Sequence, residues 1–221
     1  MTNESETGME KLPPSVYLSL GSNLGDREAN LLEAVDRIKA LGIEIIHESS
    51  IYETEPVGRK NQPWFLNQVI EIRVTPELKF DGDRRVEELV EVDSHDERAI
   101  SPEFQVYELF LAFLDIEQQM GRERKVPMGP RLIDIDVLLC GDIQGFFVPT
   151  SGVGNDSDVT EASAPSLILP HPRMHLRRFV LEPLWEIARD LVHPTLKKTF
   201  RELLSALDEP STVRLYRRAK R

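Results

Sequence analysis

Between Arg131 and Cys140 the sequence RLIDIDVLLC places apolar residues at every second position: Ile133, Ile135, Val137 and Leu139. Side chains alternate across a strand, so this period of two predicts a strand with those four on one face. Asp134 and Asp136 then share the other face. This constrains the fold strongly, because the apolar face needs a covering layer while the opposite face must keep two carboxylates charged. Such carboxylates repel each other, and a cation is the least costly way to keep both ionised. Oxygen ligands of this hardness favour Mg²⁺ or Ca²⁺ over zinc, and Mg²⁺ commonly takes one or two carboxylates plus phosphate oxygens. The plain alternative is a strand whose solvent-facing side happens to be acidic.

Other periodicities supply the remaining layers. VYLSLGSN predicts a short strand ending in Gly21-Ser22-Asn23, which suits a turn and a helix cap. Leu31, Ala34, Val35, Ile38 and Leu41 then recur at helical spacing up to Gly42. IEIIHESSIYET reads as a second strand closed by Pro56 and Gly58, and WFLNQVIEIRV as a third. On that third strand Leu66, Ile70, Ile72 and Val74 share one face, while Phe65, Asn67 and Val69 share the other. A helix is expected over 104–120, with Phe110, Phe113 and Leu114 on one stripe. Glu117 falls on that apolar stripe, so it is either a solvated last-turn residue or a carboxylate at the edge of a site.

The order strand, helix, strand, strand, helix, strand predicts an α+β sandwich, a mainly antiparallel sheet with helices on one face. One domain over 15–207 is expected, between an N-terminal tail at 1–14 and a basic C-terminal tail at 208–221. Within it, 77–103 and 143–165 read as insertions. The first lies in a stretch, 77–106, with ten acidic against four basic residues; the second is rich in Gly, Ser, Asp and Pro.

Net charge excludes some functions. At −11 the chain lacks the basic surface of a general nucleic-acid binder. No apolar run nears the roughly 20 residues that span a bilayer, and the start lacks a signal-peptide core. A cytoplasmic protein without membrane contact is expected. Cys140 is the only cysteine, so it reads as a small buried hydrophobe and no cysteine zinc site is available.

Against the acidic background, GRERKVPMGPR at 121–131 holds four basic residues and one acid, and leads directly into Asp134 and Asp136. Carboxylates for a metal beside several guanidinium groups form an inventory for polyphosphate: metal bridges some oxygens and arginines neutralise the rest. Neither a P-loop nor a Gly-rich dinucleotide motif is present, so side chains would hold the phosphates.

Five stretches, LSLGSNLGDREANL, YETEPVG with QPWFLN, IEQQMGRERK, GPRLIDIDVLL and LPHPRMHLRRFVLEPLWEIA, resemble in order the motifs of the 6-hydroxymethyl-7,8-dihydropterin pyrophosphokinase family. The resemblance implies a ferredoxin-like fold and transfer of pyrophosphate from ATP to the pterin hydroxymethyl group in folate biosynthesis, with release of AMP. It implies that Asp134 and Asp136 bind two Mg²⁺ ions with ATP, and that Arg122 and Arg131 are the catalytic arginines. Arg124 and Lys125 would lie nearby in a mobile loop, and Glu117, His171 and Arg177 would contact ATP. The pterin would sit with Thr54, Val57 and Gly58, with Phe65 and Asn67, and with Phe179 stacking on its ring. Partners would be these two small molecules, with no nucleic acid or membrane, and the enzyme would be a monomer or a homodimer.

The sequence departs from the family in KVPMGPR, where Pro127 and Met128 replace a basic residue and often a tryptophan, and Met128 is available as a soft apolar lid. Glu55 stands where proline is common. Two other functions use much of the same inventory: an RNA- or protein-binding module on the same sheet, and a Mg²⁺-dependent phosphoryl or nucleotidyl transferase without a pterin pocket. Trp185 is expected in the core, and His47, His95, His175 and His193 as structural or exposed.

Overall fold

The structure, a computed structural model, describes residues 15–73, 102–122, 128–148 and 165–219, without the side chains of 102–104. Its elements are β1 (Ser15–Ser22), α1 (Arg27–Ala40), β2 (Glu44–Glu48), β3 (Ile51–Thr54), β4 (Phe65–Arg73), α2 (Pro102–Gln119), β5 (Asp134–Cys140), β6 (Gly145–Phe147), β7 (Leu167–Leu169), α3 (Arg178–Ile187), α4 (Phe200–Ser205) and β8 (Val213–Arg217).

β1 is buried from Val16 to Ser22 because both its faces are covered. It lies between β4 and β5, antiparallel to each, in a sheet ordered β5-β1-β4-β3-β8. β2 also pairs with β4, along Ile70–Arg73, while β3 takes Phe65–Asn67. The single strand expected over 43–54 is therefore two. Buried Ser49 and Ser50 separate them, the Ser49 Oγ accepting from Val69 N–H at 2.9 Å and the Ser50 side chain donating to Glu186 at 2.8 Å.

Helices α1 and α2 cover one face, as the order of elements predicts. Leu31, Ala34 and Ile38 of α1 and Leu109 and Phe113 of α2 close over Leu18, Leu20, Ile70, Ile72, Ile133 and Ile135. Asp26 caps α1, accepting from Ala29 N–H at 3.1 Å. The buried stripe of α2 runs Val106, Leu109, Phe113, Ile116; Phe110 and Leu114 are only half-buried, so the helix is rotated from the expected stripe. The opposite face is covered too, which the order of elements did not suggest. There α3 and α4 bring Val180, Leu181, Leu184 and Phe200 against Tyr17, Val69, Leu138 and Leu139.

Leu139 thus lies on the face opposite Ile133, Ile135 and Val137, contrary to strict alternation. Tyr17 pairs with Leu139 and Leu18 with Val137, leaving Leu138 as an extra residue in β5. This bulge reverses the parity, so Leu138 and Leu139 both face the α3 layer and Cys140 returns, buried, to the α1 and α2 core.

Three further expectations change. The stretch 208–221 contains β8, an edge strand on β3; its arginines meet acids of β3 and α1, Arg214 with Glu53 at 2.6 Å and Arg217 with Glu28. Trp185 is half-exposed beneath the Arg189 guanidinium. In 143–165, β6 forms and pairs with β7, while 149–164, like 74–101 and 1–14, lie outside the described residues. Among the described residues no helix is long and apolar enough to cross a membrane.

Candidate active site

The polar face of β5 begins the site. The Asp134 carboxylate receives Arg122 Nη1 at 2.7 Å and Arg131 Nη1 at 3.1 Å. Among the described residues Asp136, one strand period on, meets only the more distant Arg177 Nη1 at 3.9 Å, and it keeps 38% of its side chain exposed. Enclosure in the pocket floor, and then the charge of Asp134, push its pKa up from the carboxylate range to about 7. Two carboxylates one strand period apart on the same face, the second with no guanidinium nearer than 3.9 Å among the described residues, offer oxygen donors alone and fit a hard divalent cation. Among the described residues no cluster of three acidic, His or Cys ligands exists, so phosphate oxygens or water would complete the shell.

Each arginine is anchored from behind. Arg122 follows α2 after a turn at Gly121, whose φ is +84°, and its N–H donates to the Glu117 carbonyl at 2.9 Å. Its guanidinium also bonds the Glu117 carboxylate, which accepts from Ile135 N–H at 2.7 Å. Glu117 is 2% exposed, so it is no solvated last-turn residue; it lies beneath the pocket wall and not on the lining. Arg131 is clasped by Asn23: Arg131 N–H donates to Asn23 Oδ1 at 2.8 Å and Asn23 N–H to the Arg131 carbonyl at 3.1 Å. Its guanidinium lies 5.3 Å from the Phe65 ring centre, and that of Arg177 5.5 Å from Phe179.

His171 reaches the site through its backbone, donating N–H to the Leu138 carbonyl at 2.9 Å. Its Nδ1 accepts from Arg173 N–H at 3.2 Å. Burial, followed by the charges of Arg177 and Arg173, lowers its pKa to about 4, so the ring is neutral near pH 7.

At the other end, Asn67 and Thr54 are both buried, and Asn67 Nδ2 donates to Thr54 Oγ1 at 2.7 Å. Phe65 lies one strand pair away, as parity on β4 predicts. Met128 reaches across to the Thr54–Gly58 turn, where a Cβ on Gly58, at φ +82°, would stand 2.5 Å from Met128 Cε. Met128 itself holds φ +55°, a conformation uncommon for a residue with a side chain. Its carbonyl accepts from Gln62 Nε2 at 3.2 Å, and Gln62 Oε1 from Asn23 Nδ2 at 3.2 Å, tying the lid to the end of β1.

The two ends share one cavity of about 380 Å³. It gathers Arg122, Arg131, Asp134, Asp136, His171 and Arg177 with Thr54, Val57, Phe65, Asn67 and Phe179. Gly58 stands behind Met128, off the lining, and Arg124 and Lys125 lie outside the described residues. Ser19, Gly21, Gln62, Leu176 and Arg173 also line the cavity, without roles assigned from sequence. For Ser19 and Gly21 the signal was pairing: they stand opposite Asp136 and Asp134 on the central strand. Arg173 follows His171 by two residues in the same turn, and Gln62 carries no local signal. A sheet presenting carboxylates at the floor of a pocket is unlike the exposed aromatic platform that single-stranded RNA requires.

Comparison with known proteins places this geometry. The family model described as 7,8-dihydro-6-hydroxymethylpterin-pyrophosphokinase (HPPK) matches residues 17–100 and 98–189. A protein of Bacillus subtilis named 2-amino-4-hydroxy-6-hydroxymethyldihydropteridine pyrophosphokinase is 34% identical over 176 residues, 79% of this chain and 78% of its own length. One of the same name from Methylorubrum extorquens is 35% identical over 198 residues, 89% of this chain and 95% of its own. The folic acid synthesis protein of Pneumocystis carinii is 33% identical over 180 residues, but the chain spans only 18% of that longer protein. Among solved structures, an HPPK-DHPS in complex with substrates superposes with a TM-score of 0.56 at 15% identity, over 88% of this chain and 43% of that one, and supports the fold alone. A Plasmodium falciparum HPPK-DHPS gives 0.57 at 14% identity, over 89% and 45%. With a family model covering most of its length and bacterial relatives above 30% identity, the chain belongs to the 7,8-dihydro-6-hydroxymethylpterin-pyrophosphokinase family.

Proposed function

We propose that this chain transfers the terminal pyrophosphoryl group of ATP to the hydroxymethyl oxygen of 6-hydroxymethyl-7,8-dihydropterin, releasing AMP, as a step of folate synthesis in the cytoplasm. The observation that carries this reading is the single cavity in which Asp134 and Asp136, ringed by Arg122, Arg131 and Arg177, share a wall with the Thr54–Asn67 pair and two phenylalanines.

In this reading the pterin enters edge-on to Asn67 and Thr54, whose amide and hydroxyl match its alternating donors and acceptors, and its ring lies against Phe65 and Phe179. Mg²⁺, held as two ions with ATP by Asp134 and Asp136, would supply charge neutralisation on the phosphate oxygens. The hydroxymethyl oxygen bonds to the β-phosphorus while the bond from that phosphorus to the bridging α–β oxygen breaks. AMP leaves with the bridging oxygen, and the hydroxyl proton passes to solvent or to a phosphate oxygen. Arg122 and Arg131 stabilise charge building on the transferred group and on AMP. Arg177, His171, Arg124 and Lys125 orient the nucleotide, with His171 acting as a neutral hydrogen-bonding ring. Met128 closes over the pterin end and excludes water.

The test is AMP release with 6-hydroxymethyl-7,8-dihydropterin, comparing the parent with Asp134→Ala and Asp136→Ala. The parent is expected to convert both substrates in equal amounts, and each variant to lose nearly all activity with its circular dichroism intact. Full activity in either variant would sink the metal assignment. Nucleotide binding without any pterin binding would favour a phosphoryl transferase of another specificity.

A further inference from the structure

Gly21 sits in the interior of β1 between buried Leu20 and Ser22, and its φ is outside the left-handed range that favours glycine. A glycine inside a strand weakens it, and where no unusual backbone angle calls for one, the reason lies in space. Across the sheet its register partners are Asn67 on β4 and Asp134 on β5. The one residue without a side chain therefore separates the amide of the pterin end from the carboxylate of the metal end. A Cβ at this position would stand 3.0 Å from Asn67 Oδ1, 3.9 Å from Asp134 Cβ and 3.9 Å from Phe65 Cδ1. The position lines the cavity, so those atoms surround an opening and not packed core.

Resting on the pyrophosphokinase reading, we infer that Gly21 is a specificity-determining residue: the space it leaves is the slot through which the one-carbon hydroxymethyl arm of the pterin passes. A ring anchored at Asn67 can bring its reacting oxygen to phosphates gathered over Asp134 only across β1, and position 21 is where β1 offers room. The slot selects for a short arm. It admits a hydroxymethyl group and excludes a branched substituent at the same ring carbon.

The experiment compares the parent with Gly21→Ala, using an unreactive ATP analogue, Mg²⁺ and two pterins, with and without the arm. In the variant the melting temperature should stay within about 4 °C of the parent. Affinity for the ATP analogue, and for the armless pterin, should change less than threefold. Affinity for the hydroxymethyl pterin should fall about tenfold or more, the scale of one misplaced methyl group in a pocket. In the parent, a pterin bearing a 1-hydroxyethyl arm should bind at least tenfold more weakly than the hydroxymethyl compound, a measurement that needs no variant. Equal loss of both pterins in Gly21→Ala shows that the residue acts through Asn67 alone and overturns the slot. Equal binding of the two arms by the parent does the same. Failure of the parent to bind any pterin overturns the functional reading itself, and the slot with it.

Discussion

Glu117 Oε1 accepts the backbone N–H of Ile135 at 2.7 Å while the same carboxylate holds the guanidinium of Arg122. One buried acid at the end of α2 thus joins the helix, the arginine that faces the pocket and the strand that carries Asp134. Replacing it by Gln removes the charge opposite a largely buried Arg122. Breaking a buried ion pair outright costs about 3–5 kcal/mol, and Arg122 keeps Asp134 at 2.7 Å, so the loss should fall below that range. Glu117→Gln should still lower the urea midpoint, and Glu117→Gln with Arg122→Met should recover much of that loss. A double-mutant cycle read by denaturation checks this; additive losses would show that the pair is not coupled.

The two aspartates should differ in their effects. Among the described residues Asp134 has two guanidinium partners at 2.7 and 3.1 Å, and Asp136 one at 3.9 Å. Asp134→Asn leaves Arg122 with Glu117 alone and removes the acidic partner that Arg131 has among the described residues, so it should cost both stability and activity, whereas Asp136→Asn removes repulsion and should leave the apo protein as stable as the parent or more so. Each should reduce turnover by about 10³-fold, the scale of lost transition-state charge stabilisation. Thermal melts without Mg²⁺, beside AMP-release rates with it, separate the two effects.

Gly58 lies at φ +82° with Met128 Cε where its Cβ would be. Gly58→Ala should destabilise the folded chain by roughly 1–2 kcal/mol through its backbone alone, and should raise the KM for the pterin by displacing Met128. Met128→Ala alone should raise the KM to a similar extent without the backbone cost. Adding it to Gly58→Ala relieves the clash, leaves the backbone cost and should raise the KM no further.

His171 sets a pH dependence whose sign follows from its environment. Its folded pKa, about 4, is below the unperturbed value of 6.5, so between these values the unfolded chain binds the proton more readily. Its contribution to stability is full above about pH 6.5 and is lost as pH falls toward 4, with a slope no steeper than about 1.4 kcal/mol per pH unit. His171→Asn should flatten the stability profile in that window, measured by urea unfolding at stepped pH.

Much of this site was legible because strands obey parity. Phe65 and Asn67 were placed on one face, and Asp134 and Asp136 on another, by counting alone, and both pairs open into the cavity. Counting failed where tertiary structure changed the count: at Leu138, where β5 has one residue more than β1 opposite it, and at Ser49-Ser50, where buried hydroxyls interrupt a strand. It also failed where partners lie far away in sequence. Arg214 and Arg217 looked like a solvated tail because Glu53 and Glu28, which receive them, are more than 150 residues upstream. Glu117 had two readings from periodicity, and its burial against Arg122 and the N–H of Ile135 decides between them.

The extra residue at Leu138 governs what kinds of change this strand can absorb. The side of β5 that carries Asp134 and Asp136 becomes hydrocarbon beyond them, facing α3, and the Leu138 carbonyl is where His171 is fastened. Substitutions at Ile133, Ile135 or Val137 alter only the packing under α1 and α2. Deleting Leu138 would restore plain alternation, with Leu139 still toward α3 and Cys140 still toward α1 and α2, but it would remove the carbonyl that fastens His171 at the nucleotide end. Length, more than composition, is the inherited quantity in this stretch: the segment tolerates a change of residue far better than a change in the number of residues.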